Sequence, residues 1–320
     1  MFRVLHYIYE VYRESSFSKA AQKLFLSQSS LSLTIKRYES EIGVQIFDRS
    51  TMPVKLTDAG VIIINEIQKL LAIEQDMQTY LEDYRELKTG SLTIGVPHMF
   101  ASYLLPRYLA KFLHLYPDIK VNIAESDLHS LQEIILNGDA DLLIECHDFD
   151  PELFRIYPLF EEHILLAVPA NDPINRSNEK AMLTAADILA DKHVGAACPA
   201  ISLTPFEKHP FLMLERGYDL HNRGLRFCRE SGFEPHVFMY LNQLATVYSL
   251  AKQHLGVTFI SDTAVKLSNP GNELVYYKIA ADNTTRSVNM VHKRKRYISK
   301  AAGAFIELAL KLDMHDLVSP

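Results

Sequence analysis

The sequence predicts an α+β multidomain protein with an N-terminal winged helix-turn-helix, a long linker helix and a C-terminal α/β region of two lobes. Two short helical patterns separated by a tight turn occupy residues 16–42. An apolar seam with steps of three and four residues follows, which is the period of one long helix. From residue 91, β-rich runs alternate with helical patterns, as in parallel sheets with crossover helices. The run His193–Ala197 is expected to be the strand that starts a second such unit. The expected domains are 1–58, 59–88 and 89–320, with lobe I at about 89–161 and 266–320 and lobe II at about 162–265.

The composition is ordinary for a globular protein. The 320 residues are 48% hydrophobic and 22% charged, which is typical of soluble domains and sufficient for two or three cores. No run of eighteen apolar residues occurs, so no membrane span is expected, and the N-terminus does not resemble a signal peptide. The three cysteines lie far apart without a CxxC pair, which argues against disulfides and a zinc site. We therefore expect a cytoplasmic protein.

Charge is distributed unevenly along the chain. The net charge is −6, yet residues 1–60 contain eight Lys or Arg against six Asp or Glu, and the rest contains 25 against 33. The N-terminal segment is thus slightly basic and the remainder acidic. Because a local patch decides attraction to phosphates, a nucleic-acid partner is not excluded. The small basic excess predicts modest non-specific affinity per subunit and a need for a dimer.

Residues 2–42 predict three helices. The apolar face of the first helix is Phe2, Leu5, Ile8 and Tyr12. Ser18 is the expected N-cap of the second helix and Ser27 that of the third, because their hydroxyls can accept from free first-turn amides. Small side chains at Ala20 and Ala21 let two helices cross closely, and Gly43 ends the third helix as a C-cap. This order predicts a helix-turn-helix whose last helix enters the major groove of DNA.

The polar face of the third helix and the segment after it supply the candidate DNA contacts. Gln28 begins this helix, where its amide can pair with an adenine edge. Two short strands, Val44–Phe47 and Val54–Leu56, predict a wing, on which Arg49 and Lys55 can contact phosphates or the minor groove. A solvated face and turn are the alternative for these side chains. The expected DNA-binding residues are Ser18, Lys19, Gln28, Ser29, Ser32, Lys36, Arg49 and Lys55.

A heptad seam runs along the predicted long helix, which begins at Thr57-Asp58 and continues to about Leu87. Its apolar positions are Ile63, Ile67, Leu70, Met77, Leu81 and Tyr84, with Glu74 filling the gap. Such a seam predicts coiled-coil pairing of two subunits. The alternative is an amphipathic helix that packs on the core of its own chain. We assign dimerisation to Ile63, Ile67, Leu70, Met77 and Leu81, and expect the coil to splay or change register at Glu74.

The α/β region predicts a ligand site where its strands end. In open parallel sheets, ligands bind beyond the carboxyl ends of the strands, and free amides at the following helix starts favour an anion such as a carboxylate. The residues expected there are His98, Met99, Phe100, Ser102, Ser126, Asp127, Ser202, Asn242 and Gln243. The alternative is that these residues only pack the cleft between the lobes.

A set of positions at fixed distances resembles the LysR-type transcriptional regulators. They are Ala20-Ala21, Ser27-Gln28, Leu31-Ser32, Glu39, Gly43, Phe47, Arg49, Leu56-Thr57 and Ala59-Gly60. The resemblance implies a dimer or tetramer on double-stranded DNA, pairing of subunits through the linker helix, and contact with RNA polymerase. It also implies a periplasmic-binding-protein-like domain with a small-molecule effector between its lobes.

The chain departs from the family pattern at several positions. Ser29 stands where the family commonly has proline, and Leu33 where it often has a polar or basic side chain, so the base preference is open. His98, Met99 and Phe100 follow the first strand of lobe I, where family pockets usually place Ser or Thr. This indicates a larger or more aromatic effector, or one of different charge.

No pattern in the sequence predicts catalysis, a resident cofactor or a metal site. The adjacent residues Cys146, His147 and Asp148 point to alternating faces of a strand and cannot form a triad. The motifs GxxxxGK[ST], GxGxxG and HExxH are missing, and thirteen histidines are scattered without metal-ligand spacing. The basic run at residues 292–296 is interpreted as a solvated turn. The alternative function is a small-molecule-binding protein with a vestigial DNA module, and an enzyme is a weaker third hypothesis.

Overall fold

The computed structural model describes residues 2–84, 90–126, 128–268 and 270–318. Its contacts divide the chain into two units, Met1–Leu81 and Glu82–Pro320. The expected end of the linker helix near Leu87 and the boundary at Thr89 lie outside the described residues. The linker helix belongs mainly to the first unit, whereas the sequence placed it in a segment of its own.

The first unit is the predicted winged helix-turn-helix. Its elements are α1 (Phe2–Glu14), α2 (Phe17–Lys23), α3 (Gln28–Ile42), β1 (Phe47–Asp48), β2 (Lys55–Leu56) and α4 (Asp58–Tyr84). The two strands pair antiparallel as Phe47 with Leu56 and Asp48 with Lys55. The shared core buries Leu5, Ile8, Val11, Ala20, Ala21, Leu31, Ile35, Ile46 and Phe47.

The caps of the short helices are local, and two of the three predicted positions are confirmed. Ser27 Oγ accepts from the Ser30 amide at 3.2 Å, and Gly43 has a φ of 72°, the left-handed conformation that favours glycine at a C-cap. The prediction for Ser18 was wrong, because Ser16 is the N-cap of α2 and accepts from the Lys19 amide. Helix α2 begins at Phe17, whose side chain is buried, and Ser18 is therefore already inside the helix.

The first half of α4 packs on its own domain. Ile64 and Ile67 are each 2% exposed within the core of the first unit, and Ile63 packs partly buried against the same core. Ile67, which was assigned to dimerisation from the sequence, therefore packs in the core of its own chain, where its side chain is covered. The alternative that the sequence left open, packing on the chain's own core, holds for this half of the helix only.

The second unit combines parallel and antiparallel strand pairs with crossover helices. Its strands are β3 (Gly90–Val96), β4 (Ile119–Glu125), β5 (Leu142–Glu145), β6 (Phe154–Pro169), β7 (Ala200–Ile201), β8 (Phe211–Leu214), β9 (Val237–Leu241), β10 (Thr258–Ser261), β11 (Leu274–Ile279) and β12 (Thr285–Lys293). Its α-helices are α5 (Leu105–Leu115), α6 (Leu128–Asn137), α7 (Ala185–Leu189), α8 (Asp219–Glu230), α9 (Leu244–Lys252), α10 (Asp262–Leu267), α11 (Lys300–Lys311) and α12 (Met314–Val318). A π-helical turn, Phe100–Leu104, precedes α5.

The long strand β6 joins two lobes. Its first half pairs with β12, from Phe154 with Lys293 to His163 with Thr285. Its second half pairs with β10 and β11. Lobe I is therefore β3, β4, β5, β12 and the first half of β6, and lobe II is β7 to β11 and the second half of β6. The strand order β4-β3-β5-β12-β6-β11-β7 runs across both lobes.

Two details of lobe II differ from the sequence-based expectation. Strand β11 pairs with β6 and β7, so the chain returns to lobe I at β12 and not near residue 266. The run His193–Ala197, expected to be a strand, forms turns, and the strand that follows is only Ala200–Ile201. Among the described residues, no helix is both long enough and apolar enough to span a membrane.

Candidate nucleic-acid interface and interlobe pocket

The N-terminal turn of α3 exposes a polar edge. Ser27, Gln28, Ser29 and Ser30 are all exposed, while Leu31 and Ile35 on the opposite face are fully buried. The hydroxyls of Ser27 and Ser29 lie 3.1 Å apart. This burial pattern fixes which face of α3 can meet a partner, and Gln28 stands at the tip of that face.

A concave groove between the helix-turn-helix and the wing collects most of the predicted contact residues. Its lining includes Ser18, Lys19, Gln28, Ser32 and Arg49, together with wing residues 51–54. The remaining predicted residues, Ser29, Lys36 and Lys55, are exposed and are not part of this lining. The groove therefore combines the start of α3, the start of α2 and the wing on one surface.

Arg49 is tied to its own domain. Its guanidinium donates to Glu39 Oε2 at 2.8 Å and to Ser32 Oγ at 2.8 Å, and it lies 4.8 Å from the centre of the Phe17 ring. Glu39 is buried and also accepts from the amides of Ile46 and Phe47. Arg49 thus first positions the wing against α3, and only its exposed edge remains available to a phosphate.

The second half of α4 presents apolar side chains to solvent. Predicted residues Leu70, Met77 and Leu81 are exposed, and so are Ile73 and Tyr80, which the sequence analysis did not select. Glu74, the polar position of the predicted seam, accepts from His6 Nε2 of the same chain at 2.9 Å. The exposed seam of α4 is accordingly Leu70, Ile73, Met77, Tyr80 and Leu81, and Glu74 lies beside it.

A pocket lies between the lobes at the carboxyl ends of β3, β4, β5, β8 and β9. It holds about 700 Å³ of space that is partly open to solvent. Six predicted residues line it: His98, Met99, Phe100, Ser126, Asn242 and Gln243. The expectation that ligand-facing residues follow these strands therefore agrees with the position of the pocket.

Three predicted ligand residues do not line this pocket. Ser102 is exposed on the π-helical turn, because that turn carries its side chain away from the strand ends. Ser202 is exposed and shares a hydrogen bond of 2.9 Å with the Thr204 hydroxyl. Asp127 lies outside the described residues.

The pocket also contains a charged cluster that the sequence analysis missed. Arg286 donates to Glu162 Oε1 at 2.6 Å and to Asp219 Oδ2 at 2.8 Å, and its side chain is only 9% exposed. Asp219 belongs to lobe II, whereas Arg286 and Glu162 lie on β12 and β6. The ion pair therefore bridges the lobes, across 67 residues of sequence.

Local signals existed for some of the missed residues. Glu145, Cys146 and His147 line the pocket at the carboxyl end of β5, where the strand-end rule applies. Residues 218–220 also line the pocket, and they follow the apolar run 211–214, which is consistent with a buried strand. Arg286 had no local signal, because it enters from an antiparallel crossing strand.

Burial controls protonation in this cluster. Burial raises the pKa of Glu145 to about 7, against a hydrogen bond from the Cys146 amide to its carboxylate. Burial also raises the pKa of the Cys146 thiol well above its ordinary value, and this thiol donates to Glu162 at 3.3 Å. A protonated thiol is a poor nucleophile, so the arrangement supports binding and not covalent chemistry by Cys146.

Three potential metal ligands converge elsewhere, although their spacing in sequence gave no sign of it. His163, His193 and Asp262 bring ligand atoms within 4.8 Å of one another. The ammonium of Lys266, however, lies 2.9 Å from the same Asp262 oxygen that His193 contacts. Burial opposes ionisation of Asp262, but the two histidines and Lys266 outweigh it and hold its pKa well below the usual range. Lys266 thus supplies the cation of this cluster.

Comparisons with known families agree with both sites. The sequence model of the bacterial regulatory helix-turn-helix protein, lysR family, matches residues 2–61. The model of the LysR substrate binding domain matches residues 85–195 and 188–313. The first match covers the groove and the second covers the interlobe pocket.

Relatives extend over nearly the whole chain. The uncharacterized HTH-type transcriptional regulator YcgK of Bacillus subtilis (strain 168) is 30% identical over 96% of this chain and 93% of YcgK. Full-length OxyR from Pseudomonas aeruginosa shares the fold with a TM-score of 0.71 at 22% identity, covering 98% of this chain and 95% of that one. Full-length CbnR complexed with its target DNA has a TM-score of 0.63 at 15% identity, over 97% and 99%. The chain therefore belongs to the LysR family and is a transcriptional regulator with a helix-turn-helix DNA-binding domain and an effector-binding domain.

Proposed function

We propose that this regulator reads DNA with the edge of α3 that begins at Gln28 and works as a homo-oligomer joined through α4. The burial of Leu31 and Ile35 supports the first part, because it leaves only the polar edge outward. The exposed seam of α4 supports the second, because a sustained apolar stripe on a helix needs a partner. A dimer would present two copies of α3 to two related half-sites.

The effector of this proposal is a small molecule bound in the interlobe pocket. The observation that carries it is a pocket lined from both lobes, by Ser126 on one side and Asn242 on the other, with mostly apolar walls. Helices α8 and α9 begin at this pocket without a side-chain cap, and their free amides favour acceptor oxygens. Glu145, which lines the same pocket, favours donor groups.

The charge of the pocket narrows the effector class. Arg286 is already neutralised by Glu162 and Asp219, so a simple anion meets no uncommitted arginine from the lining. A molecule that carries both an acceptor and a donor group fits better than a plain carboxylate, and Met99 and Phe100 offer apolar contact. An effector that binds one arrangement of subunits more tightly than another would shift the population towards that arrangement in the cytoplasm. This shift would change the contact of the regulator with RNA polymerase.

A screen of metabolites by thermal shift tests the effector site. We expect a binder to raise the melting temperature, since a ligand at 100 times its Kd stabilises by about 2.7 kcal/mol. Ser126→Ala and Asn242→Ala should weaken that binder about fivefold or more, as lost hydrogen bonds. Ser102→Ala and Ser202→Ala remove hydroxyls of the same kind outside the pocket and should leave the affinity unchanged.

The same ligand must alter DNA binding in a mobility-shift assay for the regulatory part to hold. Equal losses from the pocket variants and the two serine controls would reject the interlobe pocket as the site. A ligand that binds in the pocket without any effect on the DNA complex would reject its role as an effector, while leaving the DNA-binding function intact.

A further inference from the structure

A basic hollow on lobe I is separate from the interlobe pocket. It is lined by Arg155, His292, Arg294, Arg296 and Ile298 and holds about 620 Å³ of space open to solvent. Arg155 and His292 are direct cross-strand partners on β6 and β12, and the two other arginines follow β12. The two cavities share no lining residue. The basic run at residues 292–296 was interpreted from the sequence as a solvated turn. It forms one wall of this hollow.

The buried histidine of this hollow lacks hydrogen-bond partners. His292 is 5% exposed, and neither ring nitrogen has a partner among the described residues. Its nearest aromatic neighbour is Tyr157, with ring centres 6.2 Å apart. Burial lowers its pKa most, nearby backbone groups of His292 and Lys293 raise it, and the charge of Arg155 lowers it more weakly. A neutral imidazole offers one donor and one acceptor, and leaving such groups unpaired in a buried position is unfavourable.

Two arginines of the hollow, Arg155 and Arg294, have no carboxylate partner among the described residues. Within the described ranges, no side-chain hydrogen bond or ion pair is found for Arg155 or Arg294. Arg155 lies only near the Tyr157 ring, at 5.9 Å. Arg296 donates to the Ala140 carbonyl at 3.4 Å, and none of the described lining residues carries an acid. Arg155 and Arg294 thus bring two positive charges to a hollow without an acid among its described lining residues, which is unexpected on a chain of net charge −6.

The backbone holds these side chains in place. The Arg294 amide donates to the Leu153 carbonyl at 2.8 Å, and the Arg296 amide donates to the Lys293 carbonyl at 3.1 Å. The first bond fixes the turn after β12 to the segment before β6, and the second closes the turn itself. The backbone of this wall is therefore preorganised, which lowers the cost of ordering a ligand.

We propose that the basic hollow binds the phosphoryl group of a small phosphorylated molecule, with Arg155 and Arg294 as charge partners and His292 as the buried hydrogen-bonding group. The planar fork of arginine suits bidentate recognition of phosphate oxygens. A dianion balances this concentration of positive charge better than a monovalent carboxylate does. The site would give the regulator a second ligand input on lobe I, and it stands independently of the proposed interlobe effector.

Isothermal titration of the full-length protein with inorganic phosphate and pyrophosphate tests this site. We expect saturable binding that is tighter for pyrophosphate and weakens with salt, since it is largely electrostatic. Arg155→Ala and Arg294→Ala should each weaken binding about tenfold or more, because charge-assisted hydrogen bonds are lost. Lys295→Ala removes the same charge from the adjacent exposed position, outside the lining, and should change affinity less than twofold.

His292→Phe separates a specific site from diffuse attraction. This variant keeps the ring shape and the net charge of neutral histidine but removes both nitrogens, so we expect weaker binding of phosphate with an unchanged fold by circular dichroism. Should that variant unfold, the Arg294 and Lys295 pair still decides the question. The proposal fails if neither phosphate nor pyrophosphate gives saturable heat, or if Lys295→Ala and Arg294→Ala weaken binding equally. It also fails if acetate competes as well as phosphate, or if duplex DNA alone occupies the hollow.

Discussion

Glu39 connects the last turn of α3 to the wing through one buried carboxylate. One oxygen accepts from two backbone amides just before and within β1, and the other accepts from Arg49. Because a buried charge is tolerated only when it is paired and hydrogen-bonded, this network selects one relative position of helix and wing. The same network keeps Arg49 and Ser32 beside the groove.

Replacing Glu39 should therefore destabilise the DNA-binding unit. We expect Glu39→Ala to lower the free energy of unfolding by about 3 kcal/mol, because two amides and one guanidinium lose their acceptor. Urea denaturation of the full-length protein measures this. Glu41→Ala, an exposed acid on the same helix, is the matched control and should stay within about 0.5 kcal/mol of the parent. A similar loss in both variants would contradict the role given to Glu39.

Glu145 predicts a pH dependence of stability. Its pKa in the folded protein is about 7, above its ordinary value of 4.5. Between these values the unfolded chain releases a proton that the folded chain keeps, so the free energy of unfolding falls as pH rises, by up to about 1.4 kcal/mol per pH unit. We expect Glu145→Gln to remove this fall, and its stability gain over the parent to grow from pH 4.5 to pH 7 and then level off.

Glu152→Gln is the control for Glu145, since Glu152 is exposed. Denaturation curves at several pH values should show the same slope for this control and the parent. If Glu145→Gln is no more stable than the parent protein at pH 8, the carboxyl of Glu145 ionises without penalty in the folded protein. The buried environment assigned to Glu145 would then be wrong.

At the residue scale, the sequence predicted what is determined locally. Ser27 and Gly43 are caps set by their immediate neighbours, and Gln28 is exposed because the apolar period of α3 leaves it outward. Arg286 and Glu162 meet across 124 residues, which no local pattern contains. The predicted N-cap Ser18 was wrong by two positions, because α2 already begins at the buried Phe17.

At the element scale, α4 divides into two halves with different environments. Ile64 and Ile67 pack into the first unit, whereas Leu70, Ile73, Met77 and Leu81 face solvent. The heptad period was correct as a signal of a long helix with an apolar stripe. It could not separate intramolecular from intermolecular packing, because both require the same spacing.

The exposed seam predicts that one charge can break the oligomer. We expect Met77→Glu to raise the dimer dissociation constant about a hundredfold or more, because two facing carboxylates would each be buried at a cost above about 1.4 kcal/mol. Sedimentation velocity measures the change. Asn65→Glu adds the same charge at an exposed position of α4 outside the seam and should leave the oligomer intact. An oligomer that survives Met77→Glu unchanged would exclude pairing through this seam.

The strands of the α/β region were predictable where they are long and apolar. Runs such as β3, β4 and β9 were recognisable, and the residues that follow them include the six predicted residues of the pocket. The short strand β7 was misplaced because the run His193–Ala197 consists mostly of small and apolar residues, yet it forms turns in which only His193 is buried. Strand β8 is fully buried but was not predicted, because a run of only four apolar residues does not distinguish a short strand from a buried helix segment.

At the scale of the whole molecule, charge is separated between the two functions. The N-terminal sixty residues are slightly basic while the rest is acidic, so non-specific attraction to DNA should be small for one subunit. Two subunits joined through α4 would add their contacts on one duplex, and the second contact is then intramolecular. Specific binding by this chain should therefore depend on oligomerisation more than on total charge.

Salt dependence distinguishes residues that read bases from residues that contact phosphates, on a duplex selected from a random pool. We expect Lys55→Ala to lower the slope of log affinity against log salt by about two per dimer, because two phosphate contacts are lost. Gln28→Ala should leave this slope unchanged and cost about 1–3 kcal/mol per half-site on the selected duplex only. Fluorescence anisotropy across a salt series measures both. If Gln28→Ala weakened selected and random duplexes equally, Gln28 would contact the backbone, and a different residue of the exposed α3 edge would have to read the sequence.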